Sequence, residues 1–331
     1  MTDAQTLAVD RHEDGSGAHR IVRMWAVRAH ARGGPEQLVY ELAPRPRPGP
    51  TDAVVRVRAA GITPTELSWD STYETRTGPP RLPTIPSHEL SGVIDEIGSE
   101  VIDVEVGTEV FALTDFWRDG AAAEYVAVEA RDLAPRPRSI DHVHTAALPL
   151  SALTAWQALF DHAAVAAGQR VLIHGAAGGV GVFAVQLARW RGASVVGTAS
   201  GRDQSFLEAL GCDDIIDYRT TRFENVVHDV DVALDTVGGE TLDRTWQVMR
   251  RGSVLISIVG APSAEAAARY GVRAETFIVQ PNRTELIEVA RLVDAHTIHA
   301  VVRTIIPLST ARLAYERGLA DHVPGKIVLE I

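Results

Sequence analysis

The sequence predicts an α/β fold in two units, a strand-rich β unit and a doubly wound parallel sheet. Three observations carry that expectation. The chain has 331 residues, enough for two hydrophobic cores. Its rhythm changes near residue 149, from short strands and turns to strand alternating with helix. Within the second part, the apolar run Val171-Leu172-Ile173-His174 meets a glycine-rich turn, Gly175-Ala176-Ala177-Gly178-Gly179-Val180-Gly181, which leads into residues of helical composition.

Residues 1–23 are polar and carry both charge signs, without the apolar core of a signal peptide, and read as a disordered extension. From 24 to 148, Val54-Val55-Arg56-Val57-Arg58-Ala59 alternates as a half-buried strand does. Residues 92–94, 109–112 and 123–128 also read as strands. The stretch 43–50 has a proline at every second position from Pro44 to Pro50, which forbids helix. It reads as a stiff connector, with recognition by a proline-binding domain as the rival. Beyond 149, strands are expected at 171–174, 193–198, 214–217, 231–235, 253–259 and 273–278, with helices between them. A helix over 285–295, a strand over 301–306, a helix over 309–319 and a strand over 327–331 close the chain.

A strand feeding a helix through glycines directs backbone N–H groups and the positive helix end at one spot, which suits a pyrophosphate. The turn residues Ala177, Gly178, Gly179 and Val180 are therefore expected to hold a dinucleotide. The second strand, 194–198, ends in Ala199-Ser200-Gly201-Arg202, with no acid at its tip to hold a free ribose 2′-hydroxyl. Ser200 can donate a hydrogen bond to a 2′-phosphate, Arg202 can pair with it, and Tyr218 can close the pocket. These residues favour NADPH over NADH. Ser200 also reads as a helix N-cap, Arg202 as a solvated charge, and Asp203 as a carboxylate within reach of the ribose.

Ala176-Ala177-Gly178-Gly179-Val180-Gly181 resembles the phosphate-binding turn of the zinc-independent quinone oxidoreductases (zeta-crystallin-like) of the medium-chain dehydrogenase/reductase superfamily. The likeness extends to Leu148-Pro149, Thr154-Ala155-Trp156-Gln157-Ala158-Leu159, Asp235-Thr236-Val237-Gly238-Gly239, Val259-Gly260 and Gly325-Lys326-Ile327-Val328-Leu329. The resemblance implies a GroES-like β-barrel catalytic domain (24–148 and 283–331) enclosing a Rossmann NADPH-binding domain (149–282). It implies NADPH-dependent reduction of quinones or activated alkenes by a homodimer, with 275–279 as the pairing edge. It also implies that Thr63, Thr154, Val259 and Gly260 surround the nicotinamide, and that Val237, Phe277 and Ile278 belong to the cofactor site. Thr63 stands where these oxidoreductases usually carry Asn.

Zinc-dependent relatives need three ligands around one metal. By the motif alignment those positions hold Thr63, His88 and Leu150, so one ligand of three remains and no metal is expected. Without a Lewis acid, an isolated ketone loses its main oxyanion stabilisation. A conjugated acceptor delocalises the charge instead, so the missing ligands favour enone or quinone reduction. Tyr73 is the first choice for proton donor or carbonyl anchor, with an exposed loop tyrosine as the rival. Trp69, Phe116 and Trp117 are expected to wall a flat apolar substrate, or else to belong to core or interface.

A net charge of −11 disfavours nucleic acid and anionic membrane as partners. No apolar run reaches the roughly 20 residues that span a bilayer. Cys212 is the one cysteine, which excludes a disulfide framework and makes a cytoplasmic location the default. Two rivals stay open: an enoyl reductase serving one biosynthetic intermediate, and a non-catalytic, crystallin-like NADPH-binding protein.

Overall fold

The structure is a computed structural model that describes residues 22–320 and 324–331. The extension expected over 1–23 thus lies almost wholly outside the described residues.

Strands dominate the first unit. β1 (Arg23–Ala29) and β2 (Leu38–Pro44) pair antiparallel as a separate ribbon. The proline-rich stretch then links into β3 (Asp52–Ile62) without forming helix, as a stiff connector should. β3 keeps Arg56 and Arg58 exposed while Val55, Val57 and Ala59 are buried, the period of two read from the sequence. There follow the single turn α1 (Asp70–Tyr73), β4 (Glu89–Ile97), β5 (Glu109–Leu113), β6 (Tyr125–Glu129) and β7 (Ala134–Pro135). β3 pairs antiparallel with both β4 and β6, which makes it the spine of this unit.

α2 (His142–Ala146) and α3 (Pro149–Trp156) carry the chain across, and α3 widens into a π-helical turn over Gln157–His162. The second unit then alternates: β8 (Arg170–His174), α4 (Gly181–Trp190), β9 (Ser194–Ala199), α5 (Gln204–Ala209), β10 (Asp214–Asp217), β11 (Val230–Asp235), α6 (Gly239–Thr245), β12 (Met249–Ser257), α7 (Ala264–Tyr270) and β13 (Arg273–Thr276). Its six strands are parallel, in the order β10-β9-β8-β11-β12-β13. Both faces are covered. Val171 and Ile173 pack with Val182, Val185 and Leu286 on one side, and Leu172 packs with Phe223, Trp246 and Leu255 on the other. That two-sided burial explains why β8 reads as an unbroken apolar run.

α8 (Arg283–Asp294), β14 (Val302–Pro307), α9 (Ala311–Ala320) and β15 (Lys326–Glu330) return the chain to the first sheet. β15 pairs antiparallel with β3, with Ile327 opposite Ile62, and parallel with β14. In the parallel sheet, two strands depart from expectation by more than one residue at an end. The strand expected at 253–259 begins at Met249 and ends at Ser257, because Gly252 (φ 79°) takes up an irregularity that does not end the ladder. The strand expected at 273–278 ends at Thr276. Val259, Phe277 and Ile278 therefore lie in loops beyond the sheet.

Candidate active site

The glycine turn between β8 and α4 is shaped by what its backbone must clear. A Cβ on Gly181 would stand 2.3 Å from the Gly175 carbonyl oxygen and 2.6 Å from that of Ala176, so helix and strand touch here only through glycine. Gly178 is exposed, and its N–H closes the turn on the Gly175 carbonyl at 2.9 Å. Among the described residues, the N–H groups of Ala177, Gly179 and Val180 donate to no protein oxygen. Free donors at the N-terminus of a ten-residue helix make an anion cradle, and a dinucleotide pyrophosphate fits it.

Beside this turn, Ser200 is buried at the tip of β9 and stands at the N-cap position of the short turn Gly201–Asp203, with no cap bond from its side chain. The Arg202 side chain is 55% exposed, with Nε 3.8 Å from Asp203 Oδ2. Tyr218 is exposed, held by its N–H to the Ala199 carbonyl at 3.1 Å, and the Arg219 guanidinium lies 5.7 Å from its ring centre. Arg219, next to Tyr218, escaped the sequence reading.

At the ends of β11 and β12, Val237 and Val259 are both more than half exposed. One buried carboxylate organises both loops. Asp235 accepts from the N–H of Val237 at 3.1 Å, from that of Gly238 at 3.0 Å, and from the Ser257 hydroxyl at 2.9 Å. Ser257 Oγ in turn accepts from the N–H of Val259 and Gly260 at 3.4 and 3.3 Å. Thr154 is buried in α3, where its hydroxyl donates to the Leu150 carbonyl at 2.6 Å. Phe277 stacks on the His162 ring at 4.3 Å, and Ile278 is 73% exposed. Gln157 fastens the following loop: it donates to the Gln280 carbonyl at 2.9 Å and to Glu285 at 2.8 Å, and accepts from the Gln280 N–H at 3.0 Å. Only the position of Gln157 inside the family-like Thr154–Leu159 string hinted at that role.

Ile278 borders a cleft of about 600 Å³ between the two units, lined also by Phe116, Trp117, Arg76, Asp115 and Arg131. Trp69 meets Phe116 edge-on at 5.4 Å, so two of the three aromatic residues expected at the substrate are in contact and the third lines the same cleft. Tyr73 requires correction. It is 2% exposed, and its hydroxyl donates to the Leu67 carbonyl at 2.8 Å with the Gly33 carbonyl at 3.1 Å. A phenol spent on buried carbonyls has no proton to give in the cleft, so Tyr73 is a structural residue.

Thr63 follows β3 directly, half-buried, with its N–H 3.4 Å from Glu66 Oε1. Glu66 also accepts from the Tyr315 hydroxyl at 2.6 Å and the Ser87 N–H at 2.9 Å. Burial raises the Glu66 carboxyl to about 7 against those donors. Neither Glu66 nor Tyr315 carried a sequence signal. Next to Ser87, His88 bonds Thr114 Oγ1 through Nδ1 at 3.0 Å, and burial lowers its pKa to about 3. Glu89 is buried against Lys326, which also donates to the Ile62 carbonyl at 3.1 Å, while the second Glu89 oxygen accepts from the Leu150 N–H at 3.0 Å. Gly325 N–H bonds the Ala177 carbonyl at 3.0 Å, so the start of β15 rests on the phosphate turn.

The donor set does not fit catalytic zinc. Thr63 and Leu150 bring no ligand beside His88, and among the described residues no three His, Cys, Asp or Glu side chains converge on one point. Cys212 is buried elsewhere, its thiol pushed up to about 12 by burial, which makes it a packing residue.

Two family models match the chain: "Alcohol dehydrogenase GroES-like domain" over residues 49–138 and "Zinc-binding dehydrogenase" over residues 210–329. The 2-haloacrylate reductase of a Burkholderia species is 31% identical over 330 residues, covering 91% of this chain and 97% of that one. The chloroplastic NADPH-dependent alkenal/one oxidoreductase of Arabidopsis thaliana is 30% identical over 286 residues, covering 83% and 71%. The solved quinone oxidoreductase of Coxiella burnetii superposes with a TM-score of 0.87 at 30% identity, covering 93% of this chain and 99% of that one. A GroES-like unit joined to a Rossmann-type dinucleotide unit defines the class. The chain belongs to the medium-chain dehydrogenase/reductase superfamily, among its quinone- and alkenal-oxidoreductase-like members.

Proposed function

We propose that the protein is an NADPH-dependent, metal-independent oxidoreductase that reduces quinones or α,β-unsaturated carbonyl compounds. One observation carries this reading. A glycine turn with free N–H donors at the start of α4 occurs together with a cleft between the units lined by Phe116, Trp117 and Ile278, in a chain that carries Thr63 and Leu150 at two of the three zinc-ligand positions. The relatives named above support the same substrate class.

When bound, the reduced nicotinamide supplies hydride. The chain's own residues supply position. N–H groups of Ala177, Gly179 and Val180 take the pyrophosphate, and Ser200, Arg202 and Tyr218 take the 2′-phosphate. Thr63, Thr154, Val259, Gly260, Phe277 and Ile278 enclose the ring, so that reacting carbons meet at roughly 3–3.5 Å. Trp69, Phe116 and Trp117 exclude water and stack a flat acceptor. A homodimer paired through the outer strand β13 and a cytoplasmic location complete this reading; among the described residues, no helix is long and apolar enough to cross a membrane.

The test is NADPH and NADH oxidation by the full chain with 1,4-quinones, enones and simple aldehydes, alongside metal analysis. Turnover of quinones or enones, sparing of aldehydes and sub-stoichiometric zinc are expected. Tight NADPH binding without turnover on any acceptor refutes the enzymatic reading, and stoichiometric zinc in active preparations refutes metal independence.

A further inference from the structure

Among the described residues, His88 is the one buried histidine with an orphaned ring nitrogen. Its Nε2 is shut from solvent and has no hydrogen-bond partner, although the side chain is only 2% exposed. A buried polar nitrogen without a partner costs about 1–3 kcal/mol, so its persistence calls for a reason. His174, equally buried, shows the contrast: both its nitrogens are satisfied, by Thr198 and Thr245 hydroxyls at 3.1 and 3.0 Å.

Position supplies the reason. His88 precedes β4, Thr63 follows β3 and Thr114 follows β5, so the three share one rim of the first sheet. Glu89, the next residue, bonds the Leu150 N–H of α3 and so ties this rim to the nucleotide-binding side. Phe116 lies against the His88 ring at 5.2 Å and an interplanar angle of 84°, and it also lines the cleft. Phe116 thus touches both the His88 ring and the cleft.

The tautomer follows from Thr114. Its hydroxyl has one proton and, among the described residues, no acceptor other than His88 Nδ1 at 3.0 Å. Donation from Thr114 to Nδ1 leaves only the Nε2 proton unpaired, whereas donation from Nδ1 to Thr114 leaves both the hydroxyl proton and Nε2 unpaired, so the arrangement favours the tautomer with its proton on Nε2.

We propose that His88 Nε2–H, uncovered by a sidestep of Phe116, donates a hydrogen bond to the substrate carbonyl oxygen. This role rests on the quinone and enone reductase reading. Hydride addition at the β-carbon moves the alkene electron pair onto that oxygen, giving an enolate. The neutral imidazole stabilises the growing charge and keeps its own proton. Water then protonates the α-carbon, so the step closes without a protein acid.

The experiment compares wild type, His88→Leu, His88→Gln and Thr114→Val, each with NADPH and an enone, and records melting temperature and NADPH affinity. His88→Leu should lose about 100-fold in kcat with unchanged NADPH affinity. His88→Gln, which restores an amide donor, should recover about tenfold of that loss. Heteronuclear NMR of the ring nitrogens reads the tautomer without turnover; Nε2–H is expected in wild type and a mixture in Thr114→Val. A folded His88→Leu protein with kcat near wild type, or an Nδ1–H tautomer, overturns the proposal. Should His88→Leu fail to fold, the tautomer and Thr114→Val decide. A wild-type protein that binds NADPH and reduces no acceptor overturns the functional reading and this role with it, while an Nδ1–H tautomer in an active enzyme overturns this role alone.

Discussion

Replacing Lys326 by Met tests how the two units are held together. The Lys326 and Glu89 side chains are 5% and 1% exposed, so water screens neither charge. The pair sits at the unit boundary: Lys326 opens β15, Gly325 bonds the phosphate turn, and Glu89 bonds α3. In Lys326→Met, the Glu89 carboxylate keeps only the Leu150 N–H, and the Ile62 carbonyl loses its ammonium donor. Breaking one side of a buried pair costs about 3–5 kcal/mol. The double variant Glu89→Gln/Lys326→Met leaves no unpaired charge and should fall closer to wild type than either single change predicts. Thermal unfolding of the four proteins forms a double-mutant cycle, and about 2–4 °C per kcal/mol converts the single loss to a fall of about 6–20 °C. A Lys326→Met protein melting within about 2 °C of wild type, or a cycle with additive losses, refutes the reasoning.

Three further outcomes are expected. Burial raises the folded Glu66 carboxyl to about 7 against an ordinary 4.5, so its share of stability is complete below pH 4.5 and is lost as pH rises through 7. The melting temperature of Glu66→Gln should accordingly decline less than that of wild type from pH 5 to 8; buried His88 and His174, lowered to about 3 and 4, act oppositely on the acid side and cancel in the comparison. Arg202→Ala should raise the KM for NADPH about tenfold, the value of one charge-assisted contact, and leave the KM for NADH unchanged; equal shifts for both coenzymes refute its phosphate role. Tyr73→Phe should keep kcat within about twofold while costing about 1–3 kcal/mol through the Leu67 and Gly33 carbonyls left without a donor, and a large loss of kcat in a stable protein would restore it to the mechanism.

The sheet was legible because its strands are buried on both faces and bounded by turns. Each of the six expected strands is present, and the misplaced ends fall where Gly252 interrupts a ladder and where 277–278 turns off the edge. The glycine turn between β8 and α4 was legible too, since backbone contact demands a glycine at Gly181. Side-chain roles at the cleft were not. An exposed and a buried tyrosine have the same letter, and only the fold shows that the Tyr73 hydroxyl ends at Leu67. The Glu66–Tyr315 and Glu89–Lys326 contacts join residues more than 200 positions apart, a separation over which no local pattern carries information.

The Asp235 carboxylate ties the loops after β11 and β12 into one piece. Val237 and Val259 are therefore coupled through one buried carboxylate, and on the proposed reading a change to the coenzyme pocket at one loop disturbs the other. Redesign toward a different coenzyme has to alter both loops together, or first cut the carboxylate that yokes them.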